Sequence, residues 1–205
     1  MRRTSAADVK PPFIRVERLH HRYEGSRVSA DVKQDYSLRD VSFEIGTGEY
    51  VSIIGANGSG KSTLLRHMNA LLLPVSGDVW VHGWNTREVS SHRDIRSRVG
   101  MVFQSPEAQI VATVVEEDIA FGPENLGVPR KELRERVDWS LERVGLIELR
   151  KRPVEFLSAG QKQLLAIASA LSMKPECLLL DEATSSLDPS SRMQFLETIE
   201  SLHAE

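Results

Sequence analysis

The 205-residue chain reads as an α/β protein with a helical insertion. Three observations carry that reading. Strand and helix patterns alternate at both ends of the chain, and a long helical stretch separates them. A glycine-rich turn at Gly55–Thr63 follows an apolar strand pattern and opens an apolar-periodic helix. A short apolar run, Cys177–Leu180, ends in two carboxylates, Asp181 and Glu182.

Residues 1–12 are polar, small or proline, and a loose tail is expected. Phe13–Leu19 alternates apolar and polar residues, as a half-buried strand does. Residues 24–35 are polar and read as a loop or hairpin insertion. Leu38, Val41, Phe43 and Ile45 mark a second strand, and Tyr50–Ile54 a more fully apolar one. A helix is expected from Lys61 to about Leu72, stopped by Pro74 and Gly77. Val79–His82 and Val99–Phe103 are further short strands.

From Thr113 the pattern turns helical. Its clearest helix lies between Pro129 and Gly145, with Leu133, Val137, Leu141 and Val144 on one face. The charges over 130–152 are interleaved, so they read as a solvated face with pairs such as Glu132 and Arg136. Another helix runs from about Gly160 to Ser172. The buried strand Cys177–Leu180 follows, then a last helix from Pro189.

Composition excludes several classes. Apolar residues are 40% and charged residues 27%, enough for a packed core. Lys and Arg number 26 against 29 Asp and Glu, a net charge of -3. A protein that holds nucleic acid through bulk charge needs a basic excess, which is absent. The single cysteine, Cys177, forms no internal disulfide. No run approaches the roughly 18 apolar residues of a membrane span, and Met1-Arg2-Arg3 has no apolar segment behind it. A cytosolic chain is expected, one that meets a membrane by holding a partner.

Gly55-Ala-Asn-Gly-Ser-Gly-Lys-Ser-Thr63 fits G-x-x-x-x-G-K-[ST] in the context the motif requires. Successive backbone N–H groups must curl around a β-phosphate there, and glycines allow the φ values this needs. A helix N-terminus adds partial positive charge. Lys61 is placed to reach the β- and γ-phosphates, and the Ser62 hydroxyl to ligate Mg²⁺. The bland alternative is a glycine-rich turn without a ligand. Asp181 is suited to hold Mg²⁺ through water and Glu182 to polarise an attacking water. Alone, such a pair is more often a turn or a helix cap. Leu157-Ser-Ala-Gly-Gln161 opens a helix with small residues, Ser158 being the cap candidate. That segment is either a second anion-binding helix start or simply a capped helix.

Taken in order, these segments resemble the nucleotide-binding subunit of an ATP-binding-cassette (ABC) transporter, from Phe13 to the C-terminus. Gly55–Thr63 matches the Walker A motif, with Asn57, Gly58, Ser59 and Gly60 inside it. Gln104 matches the Q-loop, Leu157–Gln161 the signature, Leu178–Glu182 the Walker B motif and Ser185–Asp188 the D-loop. The resemblance implies a P-loop NTPase core of mainly parallel sheet, an antiparallel β subdomain and a helical subdomain over about 105–158. It implies ATP and Mg²⁺ as ligands, with Ser62, Gln104 and Asp181 around the metal. Glu182, Gln104 and Lys61 serve hydrolysis. It also implies a head-to-tail dimer in which Ser158, Gly160, Gln161 and Asp188 complete a second protomer's site.

A narrower resemblance lies in Val102-Phe-Gln-Ser-Pro-Glu-Ala-Gln109 and Val115–Gly127, similar to the ATPases of energy-coupling-factor (ECF) importers of vitamins or of cobalt and nickel. It implies a homo- or heterodimer with a second ABC ATPase, held under a transmembrane coupling protein and a substrate-binding membrane protein. The location would be peripheral, at the cytoplasmic face of the membrane, and no nucleic acid is involved. The residues around 104–125 would face the membrane partner. The ATPase never touches the cargo, so no motif here encodes it.

The resemblance departs at Ala159, where the signature has a second glycine, and at Leu164, where an arginine is common. Tyr23 is the choice to stack on adenine, with Tyr36 its competitor. Only 23 residues follow Glu182, too few to reach the family's switch histidine, and His203 falls early, on a helix surface. The domain over 13–205 therefore reads as C-terminally truncated. Two other readings share the motifs: a soluble ABC ATPase with no membrane partner, and a fragment that binds nucleotide without hydrolysing it.

Overall fold

The computed structural model describes residues 11–23, 36–184 and 187–203. Residues 1–10 of the expected tail at 1–12, the loop at 24–35, and Ser185 and Ser186 of the D-loop motif lie outside them. The chain divides into two compact units, residues 1–95 and 96–205.

The first unit is built on an antiparallel sheet. Its strands are β1 (Ile14–His21), β2 (Leu38–Ile45), β3 (Ser76–Val81) and the short β4 (Trp84–Asn85), in the order β2-β1-β3-β4. Ile14 pairs with Ile45 on one side and with Val81 on the other. The alternation seen in the sequence puts Ile14, Val16 and Leu19 in the core, with Val79 and Val81 beside them. Helix α1 (Lys61–Met68) packs on β3 and buries Leu64, Leu65 and Met68.

Two expectations for this unit are corrected. No ladder forms over Tyr50–Ile54 among the described residues, and Tyr50, Val51, Ile53 and Ile54 are all exposed. β1 uses both of its edges on β2 and β3, and an apolar run becomes a strand only where a neighbour accepts its hydrogen bonds. Helix α1 also stops at Met68 rather than near Leu72. Ala70 adopts φ 54, and the Leu71 and Ala70 amides donate back to Arg66 and His67 carbonyls at 2.9 and 3.1 Å. This is a Schellman cap with alanine where glycine is usual.

The second unit holds α2 (His92–Arg98, continuing from the end of the first unit), β5 (Val99–Val102), α3 (Val115–Asn125), α4 (Arg130–Arg143), α5 (Ala159–Leu171), β6 (Cys177–Leu180) and α6 (Pro189–His203). The sequence reading had no counterpart for α2 or β4. β5 and β6 pair in parallel, Val99 with Cys177 through Val102 with Leu180, and parallel pairing among the described residues is confined to them. The core gathers Ile119, Leu141, Leu165, Ile167 and Phe195 from α3, α4, α5 and α6.

Glycine ends α4 at Gly145 as the pattern predicts, and a glycine also follows α3. Gly127 and Gly145 take φ 77 and 67 and close Schellman caps onto Pro123 and Leu141. The expected Glu132–Arg136 pair forms at 2.7 Å, and Arg136 also reaches the Ser172 and Met173 carbonyls, covering the C-terminus of α5.

Candidate functional site: a phosphate loop and a strand-end carboxylate pair

In the first unit the glycine-rich turn leads directly into α1. Gly60, the helix N-cap, has φ 94, and a Cβ there would lie 2.5 Å from the Ser37 carbonyl oxygen and 2.8 Å from a Leu38 methyl. Only glycine satisfies both restrictions. Residues 55–59 are exposed. The Ser59 amide is turned inward to the Ala56 carbonyl at 3.2 Å. Lys61 Nζ donates to the Gly55 and Ala56 carbonyls at 3.1 and 3.2 Å, so the loop's own start holds the ammonium at its mouth. Ser62 follows in the first turn of α1, partly buried, and Thr63 is buried. An eight-residue helix with no acidic residue in its first turn leaves this N-terminal field uncancelled.

Tyr23, just beyond β1, reaches Thr63 with hydroxyl to hydroxyl at 3.1 Å and is 41% exposed. Tyr36 instead meets His20 edge-on at 5.7 Å. Beneath Tyr23 lie two buried imidazoles, His21 and His67, with ring centroids 4.6 Å apart. His67 Nδ1 bonds the Thr63 carbonyl at 2.7 Å. Burial holds the His67 pKa below its ordinary value, and the neighbouring His21 adds to that.

In the second unit, β5 and β6 run side by side and deliver Gln104 and the Asp181–Glu182 pair from their C-terminal ends. The Asp181 amide donates to the Val102 carbonyl at 3.0 Å, and the residue is 4% exposed. Glu182 is exposed and sits at φ 48, a left-handed conformation costly for any side chain but glycine. Gln104 Nε2 donates to Glu182 Oε2 at 3.3 Å. Two residues 78 positions apart thus share one water-accessible point.

The signature segment opens α5 through a capping box. The Gln161 amide donates to Ser158 Oγ at 3.2 Å, and the Ser158 amide to Gln161 Oε1 at 3.0 Å. Both side chains are thereby engaged with the backbone. Gly160 is buried, and a Cβ on it would come within 2.8 Å of Ser191 Cβ on α6. Asp188 accepts the Ser190 and Ser191 amides at 3.0 Å each and the Ser191 hydroxyl at 2.6 Å, an N-cap for α6. Those bonds, led by the Ser191 hydroxyl, hold its carboxyl below the usual range.

Three polar residues in this unit make internal contacts that the sequence reading did not anticipate. Asp118 is buried and accepts the Val111 and Ala112 amides at 2.8 and 3.1 Å and the Ser169 hydroxyl at 2.7 Å. Gln109 and the fully buried Gln163 contact the Q-loop. Gln109 and Asp118 fall inside the segments that resemble the ECF ATPases, but nothing local to them or to Gln163 indicates which groups they bond.

The ABC transporter family model matches residues 38–185. The chain is 53% identical over 167 residues to the energy-coupling factor transporter ATP-binding protein EcfA1 of Clostridium perfringens, covering 82% of this chain and 59% of that one. It is 50% identical over 194 residues to EcfA1 of Symbiobacterium thermophilum, covering 95% and 68%. It is 52% identical over 171 residues to the cobalt import ATP-binding protein CbiO of Syntrophus aciditrophicus, covering 83% and 61%. The chain therefore spans about three fifths to two thirds of the length of these relatives. Among solved structures, CbiO1 of Clostridium perfringens, part of the ABC transporter complex CbiONQ, superposes with a TM-score of 0.81 at 33% identity, over 95% of this chain and 75% of that one. No helix of the described residues is long and apolar enough to cross a membrane. With a phosphate loop, a strand-end carboxylate pair and a capped signature helix all in the expected order, and with these relatives, the chain belongs to the ABC transporter family and is similar within it to the ATP-binding proteins of ECF and cobalt importers.

Proposed function

We propose that this chain is the ATP-binding and ATP-hydrolysing subunit of an ECF-type importer, energising uptake of a vitamin or a transition-metal ion through membrane partners. The observation that carries the reading is the phosphate loop, where Gly60 is forced left-handed with no room for a Cβ and Lys61 stands at the mouth. Relatives named as ATP-binding proteins support it.

The loop amides of Gly55–Thr63 and the Lys61 ammonium bind the β- and γ-phosphates. Tyr23, already held at Thr63, is the residue for the adenine ring. Ser62, Asp181 and Gln104 supply a hydroxyl, a carboxylate and an amide oxygen, hard donors that suit Mg²⁺. Mg²⁺ held by these groups would supply positive charge against the negative charge that develops on the phosphates. Glu182 orients the attacking water and accepts its proton as the new P–O bond forms and the bond to the ADP oxygen breaks. Gln104, bonded to Glu182, links that base to the metal side of the site. Ser158, Gly160, Gln161 and Asp188 close the site of a second ABC ATPase, identical or related. The partners are a transmembrane coupling protein and a substrate-binding membrane protein, which put the chain at the cytoplasmic face.

The test uses the full-length protein. Glu182→Gln should bind Mg-ATP, dimerise and stall, with hydrolysis down by about 10²- to 10⁴-fold. Undiminished turnover removes Glu182 from its role. Lys61→Ala should abolish magnesium-dependent nucleotide binding, and failure to co-purify with an integral membrane protein overturns the transport reading.

A further inference from the structure

Gln104 touches Glu182 from the end of β5, in a loop that has no ladder to hold it. Something else must fix the backbone around it. Gln109 Oε1 accepts the Phe103 amide at 3.2 Å, and its Nε2 donates to the Met101 carbonyl at 3.1 Å. One side-chain amide thus closes the 101–109 loop across the residue that precedes Gln104. The same Nε2 approaches the Ala166 carbonyl on α5 at 3.5 Å. From α5, Gln163 Nε2 meets the Phe103 carbonyl, also at 3.5 Å. Both backbone polar groups of Phe103 are therefore held by glutamines.

Gln163 is completely buried, and its Oε1 has no hydrogen-bond partner among the described residues. Burying a half-satisfied amide is costly, so packing alone is a poor reason for it to be there. Gln163 and Ala166 lie five and eight residues beyond Ser158 on a continuous helix, about 7 and 12 Å from its start at 1.5 Å per residue. A displacement of the signature end of α5 would carry to both contacts.

We propose that Gln109 and Gln163 are positioning residues that clamp Phe103 between the Q-loop and the signature helix and so set Gln104 against Glu182. The inference rests on the hydrolytic reading above and makes the state of α5 a determinant of the base's geometry.

The experiment is a double-mutant cycle in the full-length protein, read by single-turnover ATP cleavage with thermal stability measured alongside. Gln109→Met and Gln163→Met keep side-chain volume and remove the amide bonds. Each should lower the cleavage rate about 10- to 100-fold, with the KM for ATP within about twofold, because a small misplacement of a reacting group costs that much. In a Gln104→Ala background, the same substitutions should change the residual rate by less than about twofold. If their effects multiply with that of Gln104→Ala, or follow the loss of thermal stability alone, the clamp is overturned while the hydrolytic reading stands. If Gln104→Ala itself cleaves at the parent rate, the role of Gln104 fails, and the clamp fails with it. Should Gln109→Met not fold, Gln163→Met tests the hold on Phe103 through its carbonyl, from the α5 side.

Discussion

Removing the Asp118 carboxylate should unpin the start of α3 from α5, and the size of the effect follows from its contacts. The carboxylate takes two backbone amides, from Val111 and Ala112, and the Ser169 hydroxyl, all between 2.7 and 3.1 Å. Hydrogen bonds to a charged group contribute about 1.5–3 kcal/mol each when fully buried. Val111 is exposed and Ala112 only partly buried, so water can satisfy the two amides once the carboxylate is gone. Asp118→Ala should therefore cost about 3 kcal/mol rather than the sum of three buried bonds. For a chain of this length that lowers Tm by about 6–12 °C. Asp118→Asn keeps an oxygen for both amides and loses only the charge and the favoured Ser169 geometry, so its cost should be about 1 kcal/mol. Thermal and urea unfolding of both variants supply the comparison. An Asp118→Ala protein within about 1 kcal/mol of the parent would refute the reasoning, as would an asparagine variant as unstable as the alanine one.

Three further outcomes are expected. Gly60→Ala combines a left-handed φ, which costs about 1–2 kcal/mol, with a Cβ only 2.5 Å from the Ser37 oxygen. Urea unfolding should show about 2–4 kcal/mol lost, with nucleotide binding lost in the same variant. Gly160→Ala should cost about 1–3 kcal/mol by crowding Ser191, and Ser191→Gly added to it should restore part of the stability in the same melt. Burial lowers the His67 pKa, with the His21 ring packed against it and Tyr23 packed in turn on His21, so the folded protein binds fewer protons than the unfolded chain. Its stability is complete above pH 6.5 and declines as pH falls from 6.5 toward the lowered folded value. His67→Gln should reduce the difference in Tm between pH 7.5 and 5.5.

Features with local causes could be read along the chain. β6 appears at its predicted residues because a four-residue apolar run bounded by Pro175 and two carboxylates has few alternatives. Gly145 ends α4 where the pattern said it would, since only the glycine at that position tolerates φ 67 without strain. The glycine-rich turn was legible for the same reason, since Gly58 and Gly60 take φ 78 and 94. Ala70 shows the limit, because it performs the same capping as Gly145 without the residue that announces it.

Other features depend on partners far along the chain. The apolar run at Tyr50–Ile54 had strand composition, but a ladder needs a neighbour, and neighbours are assigned by the whole fold. Gln104 and Glu182 carry their chemistry in their residue types, yet their contact across 78 positions exists only because β5 and β6 lie in register. Gln109 and Asp118 lie in segments with a family resemblance, yet nothing local to them or to Gln163 names their partners. A buried amide or carboxylate gains its meaning from the groups that satisfy it. Those groups sit on another helix or across a loop, brought there by packing of the apolar core that the polar residues themselves do not drive.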